Sequence, residues 1–413
     1  MRSTIVTDAS TTGEFLRRMP LWKGTAALGS VGALTLAGAC APPAPRASDS
    51  ERATYALHGA RILDVAAGTY SAPSVVLVRD GRITRTLRQS EYHEGLADST
   101  VDIRGAYLLP GLIDAHVHLG IGGPPRASAL ADVRAGFTTV VDLGARTHAI
   151  PRVRDSVAAG SIPGPRVLAA GIWVGIQNGV CEFNGIGIAD GADGFRRRIR
   201  QNVLAGADII KLCVSGWPAE AFANPERYEV ADSILVAGVA AAHEQKKLVV
   251  AHAISRGSVQ AALRAGVDGL AHAAFVDSAI AAEMAEKRVF MISTLASLTA
   301  GDTSAAARAL VAAIGLAHRL GVTIVAGTDG GVLPHGRNAE ELLALRAAGL
   351  SPIDVIRAAT TDAAVAFRLA DSVGALRPGM IADVVVVSGD PLLDLSTFQL
   401  PRLVMARGKI VPR

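Results

Sequence analysis

Two histidines separated by a single residue, His116 and His118, end an apolar run in Leu108-Leu-Pro-Gly-Leu-Ile-Asp-Ala-His-Val-His-Leu119. In a β-strand, side chains two residues apart point to the same face, so both imidazoles can bind one metal ion. The pair taken alone is a weak indication, because two unrelated histidines near a turn produce the same pattern. Polar residues in similar positions elsewhere strengthen the prediction of a metal site.

Four further residues that can bind a metal or transfer a proton lie in or at the end of other apolar segments. Lys211 lies in Gly206-Ala-Asp-Ile-Ile-Lys211, Asp329 ends Ala326-Gly-Thr-Asp329, and His252 and His272 each end an apolar run. An unpaired ammonium is costly to bury, so Lys211 must be paired, neutral or chemically modified. Each residue has an ordinary alternative, such as helix capping by Asp329. All six together favour one metal centre.

Eight apolar segments alternate with helical segments in the middle of the chain, which predicts parallel strands joined by crossover helices. The predicted strands cover residues 111–118, 138–143, 166–171, 209–214, 248–252, 269–272, 289–293 and 323–328. The predicted helices include residues 193–205, 231–244, 256–265, 279–287 and 304–320. Eight such units over about 250 residues predict a TIM (β/α)8 barrel, whose active site lies at the carboxyl ends of its strands. A doubly wound sheet is the alternative, but no Gly-x-Gly-x-x-Gly turn follows a predicted strand.

Short β segments near both ends of the chain predict a second, smaller unit. They cover residues 55–63, 74–78 and 81–87, and then residues 382–388 and 403–411. We therefore predict an α/β protein with two domains. Residues 110–369 would form the barrel that carries the chemistry, and residues 53–109 and 370–413 would form one composite β-sandwich.

The first 52 residues differ in composition from the rest of the chain. Arg17-Arg18 and Lys23 precede an apolar run at residues 24–39, and Leu36-Ala-Gly-Ala-Cys40 precedes a stretch rich in Pro, Ala and Ser. The pattern is typical of an export signal, and it resembles a twin-arginine signal with a lipobox at which Cys40 is lipidated. A transmembrane anchor is the alternative, but the run is shorter than the roughly 20 residues that span a bilayer. We predict a signal at 1–40, a disordered linker at 41–52, and a periplasmic or membrane-anchored lipoprotein of a bacterium.

The overall composition indicates a globular protein that acts on a small molecule. Hydrophobic residues make up 50% of the chain and charged residues 19%, and the net charge of +4 is not gathered in a basic stripe, which argues against nucleic-acid binding. A homo-oligomer is compatible with this composition. Cys181 and Cys213 alone follow the signal, and two cysteines do not make a disulfide framework. We predict that Cys213 is a small buried hydrophobic residue.

The motifs that contain the six candidate ligands, at residues 110–118, 206–211 and 326–329 together with His252 and His272, resemble those of the amidohydrolase superfamily. The resemblance covers roughly residues 57–411 and includes Gly379-Met-Ile-Ala-Asp383 near the end. The resemblance implies a TIM barrel with a β-sandwich made from both termini. It also implies two divalent metal ions, here expected to be Zn²⁺. The implied ligands are His116 and His118 on the more buried ion, His252 and His272 on the more exposed ion, an N6-carboxylated Lys211 that bridges both, and Asp329 on the buried ion.

The chemistry of such a site is consistent with the residue types. Imidazole and oxygen ligands suit Zn²⁺. Two ions about 3.5–4 Å apart can lower the pKa of a shared water and polarise a carbonyl oxygen. A carboxylate beside that hydroxide, here Asp329, can take its proton and pass it to the leaving group. The sequence therefore predicts hydrolysis at a carbonyl or phosphoryl centre by a metal-bridging hydroxide.

Within the superfamily, the chain resembles the imidazolonepropionase-related and prolidase-like branch in residues 189–198 and 329–336. This implies cleavage of amide bonds in dipeptides or N-acyl amino acids. Members typically carry Gly-Gly-His after the third strand, where this chain has Val174-Gly-Ile-Gln-Asn-Gly-Val180, so Gln177 or Asn178 is expected to replace that histidine. Arg227 and Tyr228 are candidates for binding a substrate carboxylate, because they lie in a long loop of the kind that forms the barrel mouth. His335 either contacts the substrate or ends a turn.

Two other functions stay open on the sequence alone. A lactonase, carboxylesterase or organophosphate hydrolase would use the same hydroxide at a different centre. A non-catalytic lipoprotein that binds metal or solute is the alternative from another class. Asp329 argues against it, because a passive metal site needs no general base.

Overall fold

The computed structural model describes residues 52–299, 302 and 304–413, and the structural statements below refer to these residues. The predicted export signal, its lipidated Cys40 and all but the last residue of the predicted linker lie outside them. Among the described residues, no helix has both the length and the apolar character that crossing a membrane requires.

Seventeen strands and twelve α-helices occur in the described part of the chain. The strands are β1 (Ala53–Asp64), β2 (Thr69–Tyr70), β3 (Ser74–Arg79), β4 (Arg82–Arg88), β5 (Ala97–Asp102), β6 (Tyr107–Pro110), β7 (Leu112–Val117), β8 (Phe137–Asp142), β9 (Arg166–Ala169), β10 (Ile209–Cys213), β11 (Leu248–His252), β12 (Gly269–Ala271), β13 (Phe290–Ile292), β14 (Ile324–Val325), β15 (Val384–Val387), β16 (Leu403–Ala406) and β17 (Lys409–Ile410). The helices are α1 (Pro125–Arg134), α2 (Ile150–Ala158), α3 (Gly191–Leu204), α4 (Pro218–Ala223), α5 (Asp232–Glu244), α6 (Arg256–Ala265), α7 (Ser278–Lys287), α8 (Leu295–Thr299), α9 (Ala305–Arg319), α10 (Ala339–Ala347), α11 (Pro352–Ala358) and α12 (Thr361–Ala366).

The central strands form two parallel sheets, one of β7-β8-β9 and one of β10-β11-β12-β13-β14. All eight predicted strands are confirmed, each within three residues at either end. Two isolated parallel bridges lie beside these sheets: Val174, in the segment after β9, pairs with Leu212 of β10, and Val117 of β7 pairs with Gly330, in the segment after β14. The fold is therefore mixed α/β, with parallel strands whose carboxyl ends point the same way.

The pattern of burial explains why these segments form strands and helices. Every residue of β7, β8, β10 and β11 is buried, as expected for parallel strands covered by helices on one side and by a packed interior on the other. Several helices begin at a hydroxyl or carboxylate that accepts a backbone N–H, such as Ser255 for α6 and Asp277 for α7. The five helices for which the sequence analysis gave residue ranges are confirmed, and each begins and ends within two residues of its predicted bounds.

Strands from both ends of the chain join one nine-stranded hydrogen-bonded sheet, with the order β17-β16-β15-β6-β1-β3-β4 along its main path. β15 pairs antiparallel with β6, with Val384 opposite Pro110 and Val387 opposite Tyr107. The sequence missed β5, which pairs parallel with β1 and carries mostly polar, exposed residues. The two-layer sandwich and the domain boundaries stay predictions.

Candidate active site

The six residues singled out in the sequence line one cavity at the carboxyl ends of the central strands. His116, Lys211 and His252 belong to strands, whereas His118, His272 and Asp329 follow strands by one to four residues. All six are buried. Segments far apart in the chain therefore place their polar side chains on one interior space.

Three of the six bring their ligand atoms within 4.8 Å of one another. The Nε2 atoms of His116 and His118 are 3.3 Å apart. The Oδ1 atom of Asp329 is 3.4 Å from His116 Nε2 and 3.3 Å from His118 Nε2. The ring of His272 lies between those of His116 and His252, with centroid distances of 4.8 and 4.7 Å.

The donor atoms at this site fit a divalent metal. Lys211 Nζ and His116 Nδ1 are buried without a hydrogen-bond partner. Buried polar atoms without a partner are rare in folded proteins, and a bound ion is one of the groups that can satisfy them. Burial lowers the pKa of His252 to about 4 and holds the pKa values of His116 and His272 well below their usual range. These imidazoles are therefore neutral at pH 7, which is the form that binds metals. Burial also lowers the pKa of Lys211 to about 7.

A buried carboxylate that the sequence analysis did not single out fixes the position of His116. Asp114 accepts hydrogen bonds from the backbone N–H of His116 at 3.1 Å, from Thr328 N and Oγ1 at 3.0 and 2.6 Å, and from Asn338 Nδ2 at 2.7 Å. It thereby ties β7 to the segment that carries Asp329. The Asp-x-His spacing in Asp114-Ala-His116 is the signal that could have identified it.

His118 is held by groups on its ring and on its backbone. Its Nδ1 atom lies 2.8 Å from the carbonyl oxygen of Gly144, so its Nε2 atom faces the cavity. Gly144 has φ 132°, and a Cβ there would collide with the indole of Trp173. The predicted substrate residue His335 instead lies 3.0 Å from Asp132 through Nδ1 and 3.3 Å from the His118 carbonyl through Nε2. Its position is that of a support for His118, and it is not among the residues that line the cavity.

The remaining walls of the cavity are apolar. Rings extend outward from the ligand cluster, because Trp173 packs on His118 with a centroid distance of 5.5 Å and Phe183 packs on Trp173 at 4.7 Å. The other apolar lining residues are Ile121, Val180, Trp217, Pro218, Ile254, Leu298 and Val332. The sequence analysis missed them, because a single aromatic or aliphatic residue carries no signal that it lines a cavity.

The four other predicted substrate residues do not line the cavity. Gln177 and Asn178 are exposed in the loop after β9, and the backbone N–H of Asn178 donates to Glu182 Oε2 at 2.5 Å. Tyr228 is 36% exposed in the loop before α5. Their roles in binding substrate, like that of Arg227, stay predictions.

Cys213 is buried, as predicted, but it forms a disulfide with Cys181, so the prediction that its role is that of a small hydrophobic residue is wrong. Cys213 ends β10, two residues after Lys211, and Cys181 lies in the loop that carries Trp173 and Phe183. The backbone N–H of Cys213 donates to the carbonyl of Val174 at 2.9 Å, which brings the loop over the end of β10. This pairing depends on the path of the loop in three dimensions, which the spacing of the two cysteines does not reveal.

The disulfide should hold the aromatic wall of the cavity in place. We expect the double variant Cys181→Ala, Cys213→Ala to lose about 3 kcal/mol of unfolding free energy and to raise KM for apolar substrates while retaining its metal. Denaturant unfolding, steady-state kinetics and metal analysis measure the three quantities. A reducing agent should reproduce the rise in KM in the wild type and have no effect on the double variant. An unchanged KM in both would show that the disulfide does not shape the cavity.

Comparison with known proteins identifies the class to which this fold and site belong. Residues 107–411 match the model of the amidohydrolase family, and the chain therefore belongs to that family. Ochratoxinase of Aspergillus niger is 28% identical over 356 residues, which cover 72% of this chain and 73% of that protein.

Solved structures agree with this assignment. A putative prolidase from Bifidobacterium longum is 28% identical with a TM-score of 0.78, covering 87% of this chain and 94% of that one. A Xaa-Pro dipeptidase with bound methionine has a TM-score of 0.80 over 86% of this chain and 99% of its own, and at 23% identity it shows the shared fold. The chain is a metal-dependent hydrolase with similarity to the prolidase-like amidohydrolases.

Proposed function

We propose that this protein cleaves amide bonds in N-acyl amino acids or dipeptides with the help of two divalent metal ions, expected to be Zn²⁺. The observation that carries this proposal is the buried cluster of four imidazoles, one carboxylate and the unpartnered amine of Lys211 in a single cavity. Neutral imidazoles, a carboxylate and an additional oxygen donor form a ligand set suited to zinc.

The ligands divide into two groups according to their positions. His116, His118 and Asp329 would hold one ion, since their donor atoms already lie within 4.8 Å. His252 and His272 would hold the other. The neutral amine of Lys211 would attack carbon dioxide, forming an N–C bond and releasing a proton to solvent, so that an anionic carbamate replaces an unpartnered buried amine. That anion would bridge both ions.

The bound ions would supply a polarised carbonyl and an acidified water, which is the general chemistry of such centres. The carboxylate of Asp329 would accept the proton of the attacking water and deliver it to the leaving nitrogen. Trp173 and Phe183 would pack on the apolar part of the substrate and exclude water from the reaction. Asp114 and the Gly144 carbonyl would keep His116 and His118 in fixed positions during turnover.

We infer that the eight central strands close into a TIM barrel. The two single bridges, together with the hydrogen bonds from Ala115 N to Ala326 O and from Val174 N to Lys211 O, support closure at both seams. We propose that this barrel extends from residue 110 to residue 369. A shared apolar core that includes Leu57, Val76 and Val384 supports a two-layered terminal unit.

The apolar walls indicate which substrates the cavity favours. The ionisable side chains that line it are the six candidate ligands, so the lining offers no separate cation for a substrate carboxylate. Arg146, whose guanidinium lies 5.4 Å from the centroid of the Phe183 ring, is the cation that we expect to meet that carboxylate. The same apolar walls favour the second candidate function, hydrolysis of an uncharged ester or lactone with a large apolar group.

The experiment is a hydrolysis screen of the metal-loaded enzyme with paired substrates. N-acyl amino acids and dipeptides with an aromatic acyl group are compared with the same compounds capped as carboxamides, and with lactones, esters and phosphotriesters. We expect the free carboxylates to have the highest kcat/KM. Faster turnover of lactones or esters than of every amide would replace the proposed function with the second candidate.

We propose that the protein is exported, as its first 40 residues predict, and anchored through a lipidated Cys40. The disulfide between Cys181 and Cys213 supports export, because such bonds persist in oxidising compartments such as the periplasm. The mass of the N-terminal peptide of the mature protein tests this proposal. An unmodified N-terminus at any other residue would contradict lipidation at Cys40.

A further inference from the structure

Thr294 adopts a backbone conformation that is unusual for its residue type and lies directly behind a candidate ligand. It follows β13 by two residues and has φ 50°, a left-handed conformation that β-branched residues rarely adopt. Its Oγ1 atom is 2.8 Å from Nδ1 of His272. Such strain persists when the surroundings enforce it, and it tends to occur at functional sites.

Glu341 on α10 enforces this conformation from both sides. It is 1% exposed, and its carboxylate accepts hydrogen bonds from Ser293 Oγ at 2.5 Å, Leu295 N at 3.0 Å and Ala296 N at 2.7 Å. These donors belong to the residue before Thr294 and to the two residues after it. The backbone N–H of Thr294 itself donates to the carbonyl of Gly327 at 2.9 Å. One buried carboxylate therefore holds the turn after β13 and the beginning of α8 in place.

We propose that Glu341 and Thr294 act together as positioning residues for the His272 ring, and thereby set the affinity of the metal ion shared by His252 and His272. The pair acts on the site through one contact, from Thr294 Oγ1 to His272 Nδ1. A ring whose Nδ1–H donates to Oγ1 has a fixed tautomer, and its Nε2 lone pair is left for the metal. This inference rests on the metal site described under the proposed function.

The expected loss of zinc affinity follows from the position of Thr294 and Glu341 behind His272. Loss of a group that orients a ligating histidine typically weakens metal binding about 10- to 100-fold. His116 and His118 have their own supports, Asp114 and the Gly144 carbonyl, so the ion that they share with Asp329 should be unaffected. Weakening should therefore be confined to one of the two ions.

The test compares Thr294→Val with Thr294→Ser in the full-length protein, with Zn²⁺ as the probe. Valine keeps the shape of threonine and removes the hydroxyl, whereas serine keeps the hydroxyl. After equilibration against a graded series of zinc chelators, metal content per chain and the melting temperature are measured. We expect Thr294→Val to lose one ion at a free zinc concentration about 10- to 100-fold higher than the wild type does, and Thr294→Ser to match the wild type.

Glu341→Ala should lose the same ion as Thr294→Val, and Glu341→Gln should restore part of the affinity because its oxygen can still accept from two of the three donors. Asp383→Asn is the matched control: it removes another buried carboxylate, which accepts from Arg407 N at 2.6 Å, and it should lower stability without changing zinc binding. If Glu341→Ala does not fold, the Thr294 pair decides the question.

The proposal is overturned if Thr294→Val and Glu341→Ala bind both ions within twofold of the wild type, or if the wild type binds a single ion. Wild-type protein that holds two ions but hydrolyses none of the screened substrates would refute the proposed function and leave this inference standing. Variants that lose no zinc, in a protein whose wild type is active, would refute this inference and leave the proposed function standing.

Discussion

Replacing Asp329 with asparagine should reduce kcat about 10²- to 10⁴-fold while the protein keeps most of its metal. Asparagine has nearly the same shape and still offers a carbonyl oxygen to an ion, but it cannot accept a proton from water at neutral pH. The Oδ1 atom of Asp329 already lies 3.3–3.4 Å from His116 Nε2 and His118 Nε2, so a ligand oxygen would remain in place. Steady-state kinetics and metal analysis on the same sample measure the two quantities.

The control for this variant is Asp232→Asn, a change at an exposed carboxylate on α5 that pairs with Arg264. It should leave kcat within about twofold of the wild type, because Asp232 does not line the cavity and a surface ion pair contributes little to stability. A kcat for Asp329→Asn close to that of the wild type would exclude proton transfer by this residue. Loss of metal together with activity would assign Asp329 a role as a ligand alone.

Replacing Lys211 with methionine should abolish hydrolysis and the binding of the two metal ions that Lys211 is proposed to bridge. It should at the same time stabilise the metal-free protein. The Nζ atom is buried without a partner, and a buried donor that lacks a hydrogen-bond partner costs about 1–3 kcal/mol, a cost that an apolar side chain of similar volume avoids. Denaturant unfolding of the metal-free proteins measures the gain, and metal analysis measures the loss.

Lys287→Met provides the comparison, because Lys287 is an exposed lysine on α7 that pairs with Glu283. Its unfolding free energy should change by less than about 0.5 kcal/mol. If Lys211→Met binds two ions and retains activity, Lys211 does not bridge the ions. If its metal-free form is less stable than the wild type, Lys211 has a stabilising partner in the folded protein.

Strands and candidate ligands could be predicted from the sequence because both follow local rules. A fully buried parallel strand appears as a short run of apolar residues, which located β7 to β14. A polar residue at the end of such a run is conspicuous, which identified His252, His272 and Asp329. β5 escaped this rule because its residues are mostly polar and exposed.

Support for the site was harder to predict because it involves contacts between distant segments. Glu341 lies on a helix 48 residues after Ser293, to which it is hydrogen-bonded. In sequence it is one of two adjacent glutamates in the first turn of α10, which is where acidic residues are common in any helix. Its burial, rather than its type, reveals its role. Similarly, His335 looks like a loop residue until its ring is found between Asp132 and the His118 carbonyl.

The sequence by itself determined the order of the elements, the residue types available for catalysis and, through its motifs, the amidohydrolase family. These are properties of short segments, because strand periodicity, helix capping and the chemistry of a side chain need no distant partner. Tertiary structure alone decided that Cys181 bonds to Cys213, that Trp173 and Phe183 form the cavity wall, and which buried carboxylates hold the histidines in place. Those features depend on distances between segments far apart in the chain, and packing of the whole fold sets these distances.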